Sequence, residues 1–133
     1  LREWTSETDL RIRHYAGAAT YRTSFAYSPK ATTGRRELEL GDVKDVGIAR
    51  VTLNGVDLGC VWTKPFRVDA TRALKPGQNE LVVTVINSWY NRVLGDQLEK
   101  APTRQSQTNI RIKGDSLSPS GLLGPVRLVN VAW

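Results

Sequence analysis

Asn54 and Gly55 sit between two runs in which polar and apolar residues alternate, Arg50-Val51-Thr52-Leu53 before them and Val56-Asp57-Leu58-Gly59-Cys60-Val61-Trp62 after. A period of two puts successive side chains on opposite faces of a strand. The Asn-Gly pair suits a two-residue type I′ turn, whose central residues both need positive φ. The stretch therefore predicts an antiparallel hairpin. The chain continues through Pro65-Phe66-Arg67-Val68-Asp69 and a turn at Lys75-Pro76-Gly77-Gln78-Asn79 to an apolar run at 80–86. That run reads as a strand buried on both sides. It delivers the chain into Asn87, Ser88, Trp89, Tyr90, Asn91 and Arg92, where aromatic and amide groups crowd at a strand end.

The flanking segments repeat the pattern. Residues 10–15 alternate and read as a strand, and 16–18 form a small-residue break. Ala19, Tyr21, Thr23, Phe25 and Tyr27 share one face of a strong strand that Ser28-Pro29 ends. Residues 30–36 read as a loop, 37–40 as a short strand and 43–47 as a connection. Residues 88–107 form the longest irregular segment, the kind of loop that often carries function. Residues 109–114 alternate again, 116–121 are turn-rich, and 122–133 supply a final strand. One turn of helix fits 70–74; sustained 3.6-residue periodicity is found nowhere. Eight or nine short strands joined by Gly, Pro and Asn turns predict an all-β sandwich of two antiparallel sheets.

With 133 residues, 40% of them hydrophobic, the chain can bury a core as one domain, 1–133, without staples. No apolar run approaches the ~20 residues of a membrane-crossing helix. Cys60 is the only cysteine and His14 the only histidine, which excludes an internal disulfide, a cysteine zinc site and the usual acyl-transfer constellations. Cys60 reads as a small buried apolar residue, and His14 as packed or surface rather than as a base. The net charge of +6 comes from 19 Lys and Arg against 13 Asp and Glu. These cations are scattered, without the interleaved aromatics of a nucleic-acid groove. They read mainly as solvated surface, with some attraction for acidic polysaccharide. The chain opens at Leu1 with no Met and no leader, as expected of a piece of a longer protein.

One family resemblance covers nearly the whole chain. The pieces Val51-Thr52-Leu53-Asn54-Gly55, Leu58-Gly59, Trp62, Pro65-Phe66-Arg67-Val68-Asp69 and Leu74-Lys75-Pro76-Gly77-Gln78-Asn79-Glu80-Leu81 resemble the galactose-binding-like jelly roll of glycoside hydrolases. That jelly roll occurs as the sugar-binding domain of family-2 enzymes. The segments at 12–21, 87–96 and 120–126 are more closely similar to the C-terminal β-sandwich of bacterial α-L-rhamnosidases. Tyr90 departs from that pattern, standing where a Pro is common. The resemblance implies a jelly-roll β-sandwich that accompanies a separate catalytic domain, in an extracellular or periplasmic enzyme acting on plant or microbial polysaccharide.

A sugar presents a C–H face that stacks on aromatic rings and a fringe of hydroxyls that needs donors and acceptors. Trp62, Trp89, Tyr90, Asn91, Arg92 and Asp96 supply that mixture and are the expected carbohydrate-binding residues, provided their strand ends share one edge. Two other readings use the same residues. Trp62 and Trp89 could cap the core while an Arg92–Asp96 ion pair and the amides of Asn87 and Asn91 tie down the loop. Alternatively, the loop could dock on a catalytic domain as a structural module without sugar affinity. Hydrolysis uses paired carboxylates, and no motif pairs Asp57, Asp69, Asp96 or Glu99, so no catalysis by this segment is expected. No cofactor is expected, although Asp42, Asp45, Asp69 and Glu80 offer oxygens to a structural calcium ion.

Overall fold

The computed structural model describes residues 1–30, 33–45, 47–98 and 104–132. The hairpin forms as expected from Asn54 and Gly55, whose φ values are 51° and 79°. It joins β4 (Ile48–Leu53) to β5 (Val56–Val61). Two long strands, β1 (Ala18–Tyr27) and β7 (Gly77–Ile86), complete a four-stranded antiparallel sheet in the order β1-β7-β4-β5. A second sheet has the order β6-β2-β9, from Arg67–Asp69, Arg35–Glu39 and Arg127–Val131. A two-stranded ribbon pairs β3 (Asp42–Lys44) with β8 (Gly121–Gly124). Among the described residues, nine strands in antiparallel sheets make the expected all-β sandwich.

One continuous core joins the sheets. Val51, Leu53, Leu81, Val83 and Val85 from the four-stranded sheet pack in one cluster with Leu38, Leu40, Val68 and Leu122 from the other elements. Each such side chain taken fully out of water stabilises the fold by roughly 1.5–3 kcal/mol. Trp4 belongs to this cluster, with its indole N–H donating to the Tyr21 hydroxyl at 2.7 Å. β7 is buried on one face rather than both: Leu81, Val83 and Val85 face inward, while Ile86 is exposed.

The structure corrects several expectations. Leu10–Arg13 is a turn of helix, α1, rather than a strand. Asp9 caps it by accepting the Arg11 N–H at 2.9 Å. Tyr90–Leu98, read as irregular, is a helix, α2. Residues 109–113 alternate but join no strand among the described residues. The expected final strand divides at Pro125, which has no N–H for a ladder. The expected connection at 43–47 begins inside β3. Residues 70–74 do make a tight turn, with the Leu74 N–H donating to the Ala70 carbonyl at 2.9 Å. Cys60 is exposed rather than buried. The register pairs Val51 with Gly59 and Thr52 with Asp57, so Leu58 is an extra residue in a bulge that resets the alternation and turns Cys60 outward beside Arg50. Glu99 and Trp133 lie outside the described residues.

Candidate functional site

The register brings the predicted strand ends together. Ile86 at the end of β7 lies opposite both Ala18, which opens β1, and Ile48, which opens β4. Val61 at the end of β5 pairs with Ala49. Trp62, the next residue after β5, and Trp89, three residues beyond β7, thus leave the same end of the four-stranded sheet. With β4 between them, β5 and β7 stand about 10 Å apart at a strand spacing near 4.8 Å. Both indoles are open to solvent, at 67% and 65% exposure. Neither Trp is core. By continuation of the register Trp62 falls beside Ile48, so Ala18, Ile86, Ile48 and Trp62 form an exposed apolar row along this rim.

Helix α2 is seated on the rim by polar groups. Ser88 precedes it and donates its N–H and hydroxyl to Asp45 Oδ2, at 2.8 and 2.6 Å. Its hydroxyl oxygen also accepts the Tyr90 N–H at 3.2 Å. Asn91 donates from Nδ2 to the Ser118 carbonyl and the Ser120 hydroxyl at 2.7 and 3.0 Å, and its Oδ1 accepts the Ser118 N–H at 2.8 Å. Asn87 works in the same way on the opening of β1. Its Oδ1 accepts the Gly17 N–H at 2.9 Å, and its Nδ2 donates to the Tyr15 carbonyl at 2.7 Å. These amides replace backbone partners that the irregular segments lack.

Farther along α2, Arg92 and Asp96 form a buried ion pair at 2.6 Å, their side chains only 7% and 1% exposed. The other carboxylate oxygen, Oδ2, accepts the Ser106 hydroxyl at 2.5 Å and the N–H groups of Ser106 and Gln105 at 2.6 and 3.1 Å. Burial by itself pushes the Asp96 carboxyl up; the hydrogen bonds from Ser106 and Gln105, with that from Arg92, outweigh it and hold the group below its ordinary value. Gln97 then brackets Ile112, accepting its N–H at 2.8 Å and donating to its carbonyl at 3.1 Å. The alternating run around Ile112 is therefore paired to a side chain instead of a strand.

The six expected binding residues thus divide. Trp62, Trp89 and Tyr90 stand on the surface, Tyr90 at 37% exposure with its hydroxyl 3.4 Å from the Ser116 carbonyl. Asn91, Arg92 and Asp96 are buried and hold the segments around α2. The four carboxylates offered to calcium are separately engaged. Asp42 bonds Lys64, Asp45 takes Ser88, Asp69 accepts the Thr71 N–H, and Glu80 faces Arg22. Among the described residues no three His, Cys, Asp or Glu side chains gather as a metal site. His14 is buried against α2. Sequence reasoning passed over Gln97, Arg104 and Arg111, which with Asp96 line an open cleft of about 360 Å³ beside α2. The one signal for the two arginines was their place at either end of 104–111, whose other residues are uncharged.

Comparison with known proteins gives this geometry a context. No family model matches the chain. The fold is similar to part of a rhamnosidase from Novosphingobium sp. PP1Y, with a TM-score of 0.81 and 38% identity over 94% of this chain and 12% of that one. It is also similar to part of a β-glucuronidase from Bifidobacterium dentium solved with coumarin-3-O-glucuronide, with a TM-score of 0.53 and 31% identity over 62% of this chain and 14% of that one. A Formosa agariphila sequence named as a β-glucuronidase is 33% identical over 96% of this chain and 13% of its own length. The chain is therefore similar to a domain-sized portion of glycoside hydrolases, as the sequence pieces indicated, and spans only 12–14% of the length of these relatives.

Proposed function

We propose that this chain is a non-catalytic carbohydrate-binding or accessory module of a glycoside hydrolase resembling α-L-rhamnosidases, working on polysaccharide outside the cytoplasm. The observation that carries the reading is the pair of exposed tryptophans, Trp62 and Trp89, at one end of the four-stranded sheet. Two exposed aromatic rings leaving the same end of one sheet offer stacking faces to separate units of one sugar chain. The strands and the network through Asn87, Asn91 and Asp45 hold the rim in place before a ligand arrives. Hydroxyl contacts come from groups beside the rings, with Tyr90 nearest in sequence to Trp89.

A second reading has its own support. The row Ala18, Ile86, Ile48 and Trp62 is aliphatic over most of its length, as expected of a surface that meets another domain. On that reading the module braces the catalytic domain and has no sugar affinity. Affinity electrophoresis of the 133-residue chain in gels containing neutral galactan or xylan, or the acidic rhamnogalacturonan, decides between them. Salt-resistant retardation that disappears in Trp62→Ala and Trp89→Ala is the expected result. Unaltered migration in every gel would overturn the binding role and leave the bracing role.

A further inference from the structure

The cleft beside α2 brings two arginines, Arg104 and Arg111, into one concavity. Several arginines elsewhere are met by acids: Arg11 by Asp9, Arg22 by Glu80, Arg35 by Glu37, Arg50 by Asp57 and Arg67 by Glu39. Arg104 and Arg111 face one cleft and, among the described residues, bond only to backbone carbonyls. Arg104 donates to Ser106 and Thr108 at 2.9 and 3.1 Å, and Arg111 donates to Ile110 at 3.3 Å. A guanidinium has five N–H donors, so each keeps most of its capacity and all of its charge.

The acid in the cleft does not cancel them. Both oxygens of Asp96 are occupied, by Arg92 on one side and by Ser106 and Gln105 on the other. Arg92 also retains a buried Nε without a hydrogen-bond acceptor among the described residues. Arg104 and Arg111 therefore share the cleft with a carboxylate that is already satisfied. Thr108 and Gln97 add polar lining, and Val93 and Ile110 give one apolar wall. At about 360 Å³, the cleft falls within the roughly 300–1,000 Å³ of small-ligand sites.

Resting on the carbohydrate-binding reading above, we propose that this cleft is a subsite for an anionic sugar unit, one whose carboxylate or sulfate ester meets Arg104 and Arg111 while its ring lies against Val93 and Ile110. Guanidinium pairs bind planar carboxylates and sulfate oxygens through two parallel N–H bonds. The rim tryptophans then hold neighbouring units of the same polymer.

The test compares retardation in gels of polygalacturonate, a sulfated galactan and neutral galactan, at low and near-physiological salt. The proteins are the wild-type chain, Arg111→Gln, Arg104→Lys, and an Arg72→Gln/Arg127→Gln control that removes charge at exposed positions elsewhere. Arg111 makes a single bond to its neighbour's carbonyl, so its replacement leaves the loop anchored. We expect a preference for the anionic polymers that persists at near-physiological salt, reduced about tenfold by Arg111→Gln and little changed in the control. Preference for polygalacturonate identifies a carboxylate ligand, and preference for the sulfated galactan a sulfate ester. Arg104→Lys keeps the charge and the loop's cation but loses the fork, and should weaken binding without abolishing it. Equal loss in the control would overturn the subsite in favour of bulk charge. Equal retention by neutral galactan, insensitive to Arg111→Gln, would overturn it while leaving the carbohydrate-binding role intact. Retention by no polymer would remove both.

Discussion

Gly95 and His14 are in direct contact: a Cβ built on Gly95 would fall 2.4 Å from the imidazole Cγ and 2.6 Å from Nδ1. The missing side chain is what lets α2 lie against the segment that leads into β1. Alanine is the better helix former by about 1 kcal/mol, yet forcing a methyl group into a buried ring costs roughly 1–3 kcal/mol. Gly95→Ala is therefore expected to lower the melting temperature by several degrees. Thermal denaturation followed by circular dichroism gives the answer, and a rise in Tm would mean that His14 is not seated there.

Asn54 does more than form a turn. Its Nδ2 donates to the Ala73 carbonyl and to Asn79 Oδ1, at 2.8 and 2.7 Å, and its Oδ1 accepts the Glu80 N–H at 2.9 Å. Asn79 is almost wholly buried and keeps the Lys75 N–H on its Oδ1 at 3.0 Å, but removing Asn54 takes a hydrogen bond from Asn79, from the Ala73 carbonyl and from the Glu80 N–H. Asn54→Ala should lose about 2–4 kcal/mol, combining the turn and the hydrogen bonds. Asn54→Gly should lose less, because it keeps the positive φ. Urea denaturation of both variants tests this, and equal losses would assign everything to the hydrogen bonds.

These two residues mark what could be read in advance. The turn at Asn54 and the strands it joins were legible because a half-buried strand writes its geometry into alternate residues. Helix α2 was not legible, because its inward side carries Asn91, Arg92 and Asp96 with Leu94 and Gly95, so its 3.6-residue period is not an apolar one. Leu10-Arg11-Ile12-Arg13 is too short to tell two periods apart, and the Asp9 cap decided it. Cys60 was assigned to the wrong face because a bulge at Leu58 leaves no mark in composition. At the candidate site, the shared strand end of Trp62 and Trp89 follows from pairing register, which no single strand contains.

The Asp96 carboxylate predicts an acid transition. Its folded-state value lies below the ~3.9 of an unfolded Asp. Its contribution is therefore fully present above about pH 4 and is lost as pH falls through the depressed folded value. Asp9, held at about 2 chiefly by hydrogen bonds from the Arg11 side chain and backbone, titrates in the same window but is exposed and adds little. Wild type should lose stability steeply below pH 4. Asp96→Asn should be weaker at pH 7 by about 3 kcal/mol and show a shallower acid slope. Tm measured from pH 2 to 7 checks both, and parallel curves would exclude Asp96 as the source.

For the rim, exposure near two-thirds at Trp62 and Trp89 separates binding from stability. Trp89→Ala should abolish retardation by a retained neutral glycan while changing stability by less than about 1 kcal/mol. Differential scanning calorimetry beside the gel assay tests the pair of outcomes. A large loss of stability would mean that the indole supports α2.

The bulge at Leu58 also gives the four-stranded sheet two unlike borders. β5 is kinked there and carries the Arg50–Asp57 ion pair, both of which discourage a further strand from joining. β1, at the other border, runs ten residues in unbroken register with β7. The sheet is thus irregular on the side of Trp62 and straight on the side of Tyr21, where the N-terminal segment and β8 reach the strand through the Tyr21 hydroxyl.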